Sequence, residues 1–468
     1  QEIRDECDGE DRLAKTIDAL GNQTTFERDA KGQVMSVTDA LGNIIRTEYD
    51  PVGNVLTETD ALGNQIRKVT YNAVYLPTEE VDALAQKTTY QYDNLRRLTA
   101  QVDPLERLTN FSYDNEGKLL SVTDPLQGVS GQSFDKDGNH TSLVDPNGNQ
   151  TSFDYDQAGR LLSVTLTSGS TISYTYDNRG FISSMTNARG QAFVYSYDDA
   201  GRLQSASSPD GTKSYTYDAN GNILTVTDPT GTISYEYDAL DRVIRYTDVF
   251  GNQIQYEYDA DNNIKAVIYP DGKRVSYAYD QVNRLTQVTD WAGRVTSYHY
   301  DANGRLLETH RSNGTVLSNE YDAAGQLLQM TDRDGLGDSI NDYRFIYDAA
   351  GNVTTEENTV TGAVYHYQVD DLDRLIQVDG TQNQYLYAYD AAGNLLTEEV
   401  TVTRSVYDPT VTESVYSENI PLVPSDVSMT YGSDNRLATF NGEAVIYDAD
   451  GNMIQGPLSG AMANFEYD

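Results

Sequence analysis

Tyr256-Glu257-Tyr258-Asp259-Ala260-Asp261-Asn262-Asn263-Ile264 is the stretch whose reading decides the fold. Tyr-x-Tyr alternates, so Tyr256 and Tyr258 share one face of a strand while Glu257 points to the other. Asp259 then opens a turn, because its carboxylate can accept a hydrogen bond from the backbone N–H two residues on. The third residue after the Asp is usually glycine, which enters a left-handed conformation at little cost; Asn is the next most tolerant. Gly201-Arg202, Gly221-Asn222, Gly304-Arg305 and Gly351-Asn352 follow this rule, and Asn262 and Asn283 replace the glycine in two copies. A second strand comes next, as in Leu161-Leu162-Ser163-Val164-Thr165. A second turn closes the unit, as in Asp39-Ala40-Leu41-Gly42-Asn43 and Asp145-Pro146-Asn147-Gly148-Asn149. Turns this short exclude parallel crossovers, so strands of about seven residues form a continuous antiparallel meander.

The unit recurs along the whole chain. Seventeen Tyr-Asp dipeptides run from Tyr49-Asp50 to Tyr467-Asp468, and their central Asp residues step by 20 to 21 positions: 177, 198, 218, 238, 259, 280, 301, 322. Tyr235, Tyr237 and Asp238 thus repeat the arrangement of Tyr256, Tyr258 and Asp259. Length alone suggests about three domains. Repetition overrides that prior, and residues 1–468 read as one array of about 22 copies. About 44 strands at ~4.8 Å spacing make a ribbon on the order of 200 Å long. Twist must curl such a ribbon and its edges need cover, so it either spirals into a hollow β-shell or stacks as a compact β-solenoid. The 36 Tyr against 10 Phe bring hydroxyls that need partners, which favours a wet interior.

Composition narrows the partners. Asp and Glu total 72 against 33 Lys and Arg, a net charge of −39, so nucleic acid is not expected as a partner. No apolar run of about 18 residues exists to span a membrane. The single cysteine, Cys7, allows no internal disulfide or Cys-based zinc site, and is expected to be a small buried or half-buried thiol. The N-terminus lacks a signal peptide and starts in mid-pattern, so the chain reads as part of something longer.

The pattern Y-x-Y-D-x-x-G-R/N-L followed by D-P/A-x-G-N/R, seen at Tyr298-His299-Tyr300-Asp301-Ala302-Asn303-Gly304-Arg305-Leu306, resembles the Rhs or YD-repeat family over nearly the whole chain. The resemblance implies a β-sheet spiral closing into a hollow cocoon. Bacterial members enclose a C-terminal toxic polypeptide, animal teneurins use a related shell for adhesion, and wall-associated members exist. Toxin-bearing members carry a D-P-x-G-L stretch before a self-cleavage site. Here Asp124-Pro125-Leu126-Gln127-Gly128 is a turn variant and Asp332-Arg333-Asp334-Gly335-Leu336 lacks the proline, so no cargo is identified.

Two segments break the period. Between Asp322 and Asp348 an acidic loop insertion is expected at 332–342, where Asp332, Asp334, Leu336, Asp338 and Asp342 resemble a short calcium loop. Calcium takes roughly six to eight oxygens from a flexible loop, and Leu336 could offer only its carbonyl. The preferred reading is therefore a solvated acidic loop, with a calcium site as the alternative. The second segment, 398–429, is rich in Val and Thr and reads as an irregular insertion with a long hairpin turning at Asp408-Pro409. Pro421 and Pro424 then end the regular pairing.

No catalytic site is evident. His299 and His366 occupy the x of Tyr-x-Tyr or its equivalent, where other copies place Glu236, Ser196 or Thr216, so they read as surface residues. The expected function is a non-enzymatic shell enclosing a toxin or effector polypeptide of the same longer, secreted chain. The alternative is an extracellular structural, wall-associated or adhesive module that binds glycans or cells. Either places the protein outside the cell or at its surface.

Overall fold

The structure, a computed structural model, describes residues 3–407, 415–421, 427–432, 435–448, 452–458 and 461–464. They form forty-five strands, and no helix occurs among the described residues. All but the last three strands belong to one long antiparallel meander; the strands Ile446–Tyr447, Met453–Leu458 and Ala461–Asn464 form a small sheet of their own. The chain divides into two compact units, residues 1–106 with 234–364 and residues 107–233 with 365–468.

Each repeat is two hairpins. In the first, Gln253–Tyr258 pairs with Ile264–Ile268, and the register shifts after Glu257↔Ala266 so that Tyr258 faces Ile264. Lys265 is thereby the extra residue of a β-bulge, which sharpens the local twist. In the second, Val243–Thr247 pairs with Gln253–Tyr258 through Thr247↔Gln253 with no bulge. One turn chemistry serves both. Asp259 N donates to Asn263 O, and Asp39 N donates to Asn43 O. Where the second turn shortens, as at Ser208↔Gly211, the repeat loses a residue, which accounts for the 20-residue steps around Asp218.

The third turn residue does have positive φ: Gly221 at 97°, Gly304 at 82°, Asn262 at 71° and Asn283 at 62°. The same position also holds Tyr75 at 62°, Arg96 at 68° and Asp241 at 60°, residues for which that conformation is strained.

Side chains alternate between half-buried and exposed, clearest in Thr171–Tyr176 and Ala192–Tyr197. The buried apolar residues are small or branched, such as Val69, Ala100, Ala266, Val275 and Val378, and no large side chain is fully buried among the described residues. Among the described residues the sheet therefore has no thick dry core, and hydrogen-bonded turns and half-buried rings hold it together. Cys7 departs from the expected half-buried thiol. It is exposed, because Arg4–Cys7 pairs on only one side, with Leu13–Ile17, and all four of its residues face solvent.

The stretch 332–342 is not an extended loop. Asp332 lies in the strand Leu327–Arg333 and Asp342 in Ser339–Tyr347, paired through Asp332↔Asn341 and Thr331↔Asp342. The extra residues lengthen a hairpin by continuing its ladder, which satisfies their backbone groups, and only 334–338 forms the turn. At the segment 398–429 a hairpin pairs Leu395–Tyr407 with Val415–Pro421, from Thr401↔Pro421 to Tyr407↔Val415. Its turn at Asp408-Pro409, and Pro424, lie outside the described residues.

Candidate functional site

The repeat supplies its own recurring constellation. Asp238 Oδ1 accepts from the backbone N–H groups of Leu240 (2.9 Å) and Arg242 (3.1 Å), while Oδ2 accepts from Arg242 Nε (2.7 Å). Arg242 then reaches the next repeat: its Nη1 donates to the Asp259 carbonyl (3.0 Å), and its guanidinium lies 4.5 Å from the Tyr258 ring centroid. The Tyr258 hydroxyl reaches back and donates to the Val243 carbonyl (2.8 Å). Asp, Arg and Tyr are thus three rungs of a ladder running from repeat to repeat. The same set recurs at Arg284 with Tyr300 and Asp301, at Arg305 with Tyr321 and Asp322, and at Arg374 with Tyr389 and Asp390.

Electrostatics follow from this geometry. The Arg242 hydrogen bond holds the Asp238 carboxyl below its ordinary range, helped by the turn N–H groups. Burial pushes the Tyr258 phenol up, opposed by the Arg242 charge. Where Asn replaces Arg, as at Asn222, its Nδ2 donates to its own Asp218 Oδ2 (2.9 Å), while at Asn263 the Nδ2 donates both to Asp259 Oδ2 (3.0 Å) and to Asn283 Oδ1 in the next repeat (2.7 Å). From the sequence, Arg and Asn at this position read as turn residues alone. The pattern R/N at Asp+4, one long cation against one short amide, was the available signal.

Tyr235, Tyr237, Tyr256 and Tyr258 are half-buried, while Glu236 and Glu257 are exposed on the opposite face. Tyr235 contacts the cross-strand Tyr246, centroid to centroid 5.5 Å. At Tyr258 the Arg242 guanidinium, from the intervening strand's turn, covers the ring.

Within each unit, second-type turns also meet Tyr-Asp turns far along the chain. In the first unit, Ala61 N donates to Asn303 Oδ1 (3.0 Å) and Asn303 Nδ2 donates to Asp60 Oδ2 (2.6 Å). In the second, Asn147 Nδ2 donates to Asp390 Oδ2 (2.9 Å), Asn435 Nδ2 donates to Asp145 Oδ2 (2.6 Å), and Arg107 pairs with Asp373 (2.7 Å).

The residues considered for calcium do not converge. Asp332 Oδ1 accepts from Arg311 (3.0 Å), Asp334 Oδ1 from the backbone of Leu336 and Asp338, and Asp342 from Gln329 and Thr359. Leu336 is 90% exposed. Among the described residues, no group of three or more His, Cys, Asp or Glu side chains is placed to hold a metal ion. His299 and His366 are exposed; the His299 and His310 rings meet edge-on at 5.2 Å, and His310 contacts Glu308 (2.8 Å).

Residues 42–231, 171–261 and 231–364 match the family described as Teneurin YD-shell, and residues 8–44 match that described as RHS Repeat. No curated protein sequence matches. Among solved structures, the TcdB2-TccC3 crystal structure superposes on 100% of this chain with a TM-score of 0.62 and 14% identity. The chain covers 36% of that partner's length. The Photorhabdus luminescens Tc holotoxin pore matches 99% of this chain and 26% of its own, with a TM-score of 0.37 and 16% identity.

Proposed function

The chain belongs to the Teneurin YD-shell family, and from that premise we propose that it is a length of non-catalytic shell wall enclosing a polypeptide of the same secreted protein. The observation that carries the reading is a sheet of tyrosine-faced hairpins with no dry core, held together by side-chain ladders. Such a wall needs no core to keep its form and leaves one face free for a guest. The likeness of fold to TcdB2-TccC3 over the whole chain supports a toxin or effector as that guest. The wall keeps the guest from proteases and from the cell that makes it.

The test is limited proteolysis of the full natural protein, with and without mild denaturant. The reading requires that a segment outside the repeats survive intact until the repeats themselves open. Digestion of that segment at the rate of the free polypeptide overturns it.

One observation favours an adhesive surface instead. Phe250, Tyr269 and Trp291 sit on successive second-type turns at 87%, 39% and 53% exposure, and exposed aromatic rings are the common platform for sugar faces. Binding of the protein to a glycan array, abolished by Trp291→Ala, would support that reading.

A further inference from the structure

In the first unit, the turn at Asp18 lies against the Tyr-Asp turn at Asp259, through Ala19 and Asp261, 242 residues apart. Ala19 N donates to Asp261 Oδ1 (2.9 Å). This is the same bond that Ala61 N makes to Asn303 Oδ1 two repeats further along (3.0 Å). At that sister contact the second arm is an amide: Asn303 Nδ2 donates to Asp60 Oδ2 (2.6 Å). The second unit uses the same device, with Asn435 Nδ2 donating to Asp145 Oδ2 (2.6 Å).

At Asp261 the corresponding atom is an oxygen. Asp261 Oδ2 is buried without a hydrogen-bond partner, although the Leu20 N–H lies near the carboxyl, and the neighbouring side chain is the Asp18 carboxyl. Asp18 already accepts from Leu20 N (3.0 Å), Asn22 N (2.7 Å) and Asn22 Nδ2 (2.8 Å). A carboxyl has the shape of a carboxamide but lacks its N–H, so a proton on one of the two carboxyls supplies the missing donor. We propose that the Asp18–Asp261 contact is a proton-held latch, closed while the two carboxyls share one proton and opened when both are ionised.

The surrounding charges leave the pair uncompensated. Arg242 lines the same cleft. Its guanidinium is committed to Asp238 Oδ2 (2.7 Å), the Asp259 carbonyl (3.0 Å) and Asn262 Oδ1 (3.0 Å). The Asp259 carboxylate is occupied by Asp261 N, Asn263 N and Asn263 Nδ2. Burial, then the bond and charge of Asp18, hold the Asp261 carboxyl above its ordinary range against the Ala19 and Leu20 N–H groups; burial also pushes Asp18 up, but the Asn22 bonds lead those that outweigh it and keep that carboxyl below its own range. A raised value in the folded state fixes the sign: the latch contributes fully in acid and is lost as pH rises through the Asp261 value.

Hydrogen exchange tests this with an internal control. The Ala19 and Ala61 amides occupy equivalent contacts, so their protection ratio cancels the common effects of pH. As pH rises from about 4 to about 8, Ala19 should lose protection relative to Ala61, on the order of tenfold for each unit by which Asp261 is raised. Asp261→Asn should hold the ratio constant, and Asn303→Asp should transfer the pH dependence to Ala61. A flat ratio in the natural protein, a persistent pH dependence in D261N, or an unresponsive Ala61 in N303D would each overturn the proposal.

Discussion

Arg242 makes bonds to its own turn and to the next, so its substitutions separate the two. Arg242→Ala should cost about 2 kcal/mol, from lost charge-assisted hydrogen bonds and the cation–ring contact. Arg242→Asn should cost about half that, because the amide can fill Asp238 as Asn222 fills Asp218. Exchange of the 259–263 turn should rise in both variants, and that of the 238–242 turn only in the alanine variant. Equal loosening of the two turns in both variants would remove the ladder as a unit. Tyr258→Phe tests the third rung: losing the bond to the Val243 carbonyl should cost about 1 kcal/mol with the ring and its cation left in place.

For a hairpin, the two faces of one strand should respond differently. Tyr237 is half-buried, and Tyr237→Ala should destabilise its repeat and both neighbours by roughly 2–3 kcal/mol, because arrays couple through adjacent units. Glu236 is exposed, and its contact with Arg245 (2.9 Å) is the kind of surface pair that contributes about 0–1 kcal/mol, so Glu236→Ala should change little. Hydrogen exchange showing equal effects would invert the assignment of the faces. The lengthened hairpin around Asp334 carries an equally direct expectation. Its carboxylates bind Arg311, backbone amides and Gln329, so calcium or a chelator should leave the exchange of 331–342 unchanged. Slowed exchange on adding calcium would restore that metal as a ligand.

Over the whole molecule, acid and salt act through many small repeated terms. Asp198, Asp218, Asp238 and Asp280 all have lowered pKa values, through bonds from Arg or Asn side chains and turn N–H groups. Their contribution is therefore present above the ordinary carboxylate value of about 3.9 and is lost as pH falls through the lowered ones. Circular dichroism should show the array loosening in acid below about pH 4, the opposite direction to the Asp18–Asp261 contact. The net charge of −39 adds self-repulsion, so the melting midpoint should rise as salt is increased from ~0.01 M to ~0.5 M. A midpoint falling with salt would mean that ion pairs such as Arg107–Asp373 outweigh the repulsion.

Tyr-x-Tyr-Asp, the positive-φ position and the recurring step were enough for the antiparallel meander, because each of those interactions closes within one or two repeats. Asp259 and its turn, Gly221, Gly304 and the alternation of Tyr235 with Glu236 were readable for that reason. The Arg242 rung was visible only as an R/N alternative, since its target in the next repeat depends on how neighbouring turns align. The acidic run 332–342 misled because spacing cannot distinguish an open loop from a ladder that continues, whereas Asp332↔Asn341 does. The contacts of Asp18 with Asp261 and of Asp60 with Asn303 belonged to tertiary structure alone. They join residues 242 or more apart, and that distance is set by the summed twist of the intervening strands, a small rotation per strand that no local pattern of side chains records.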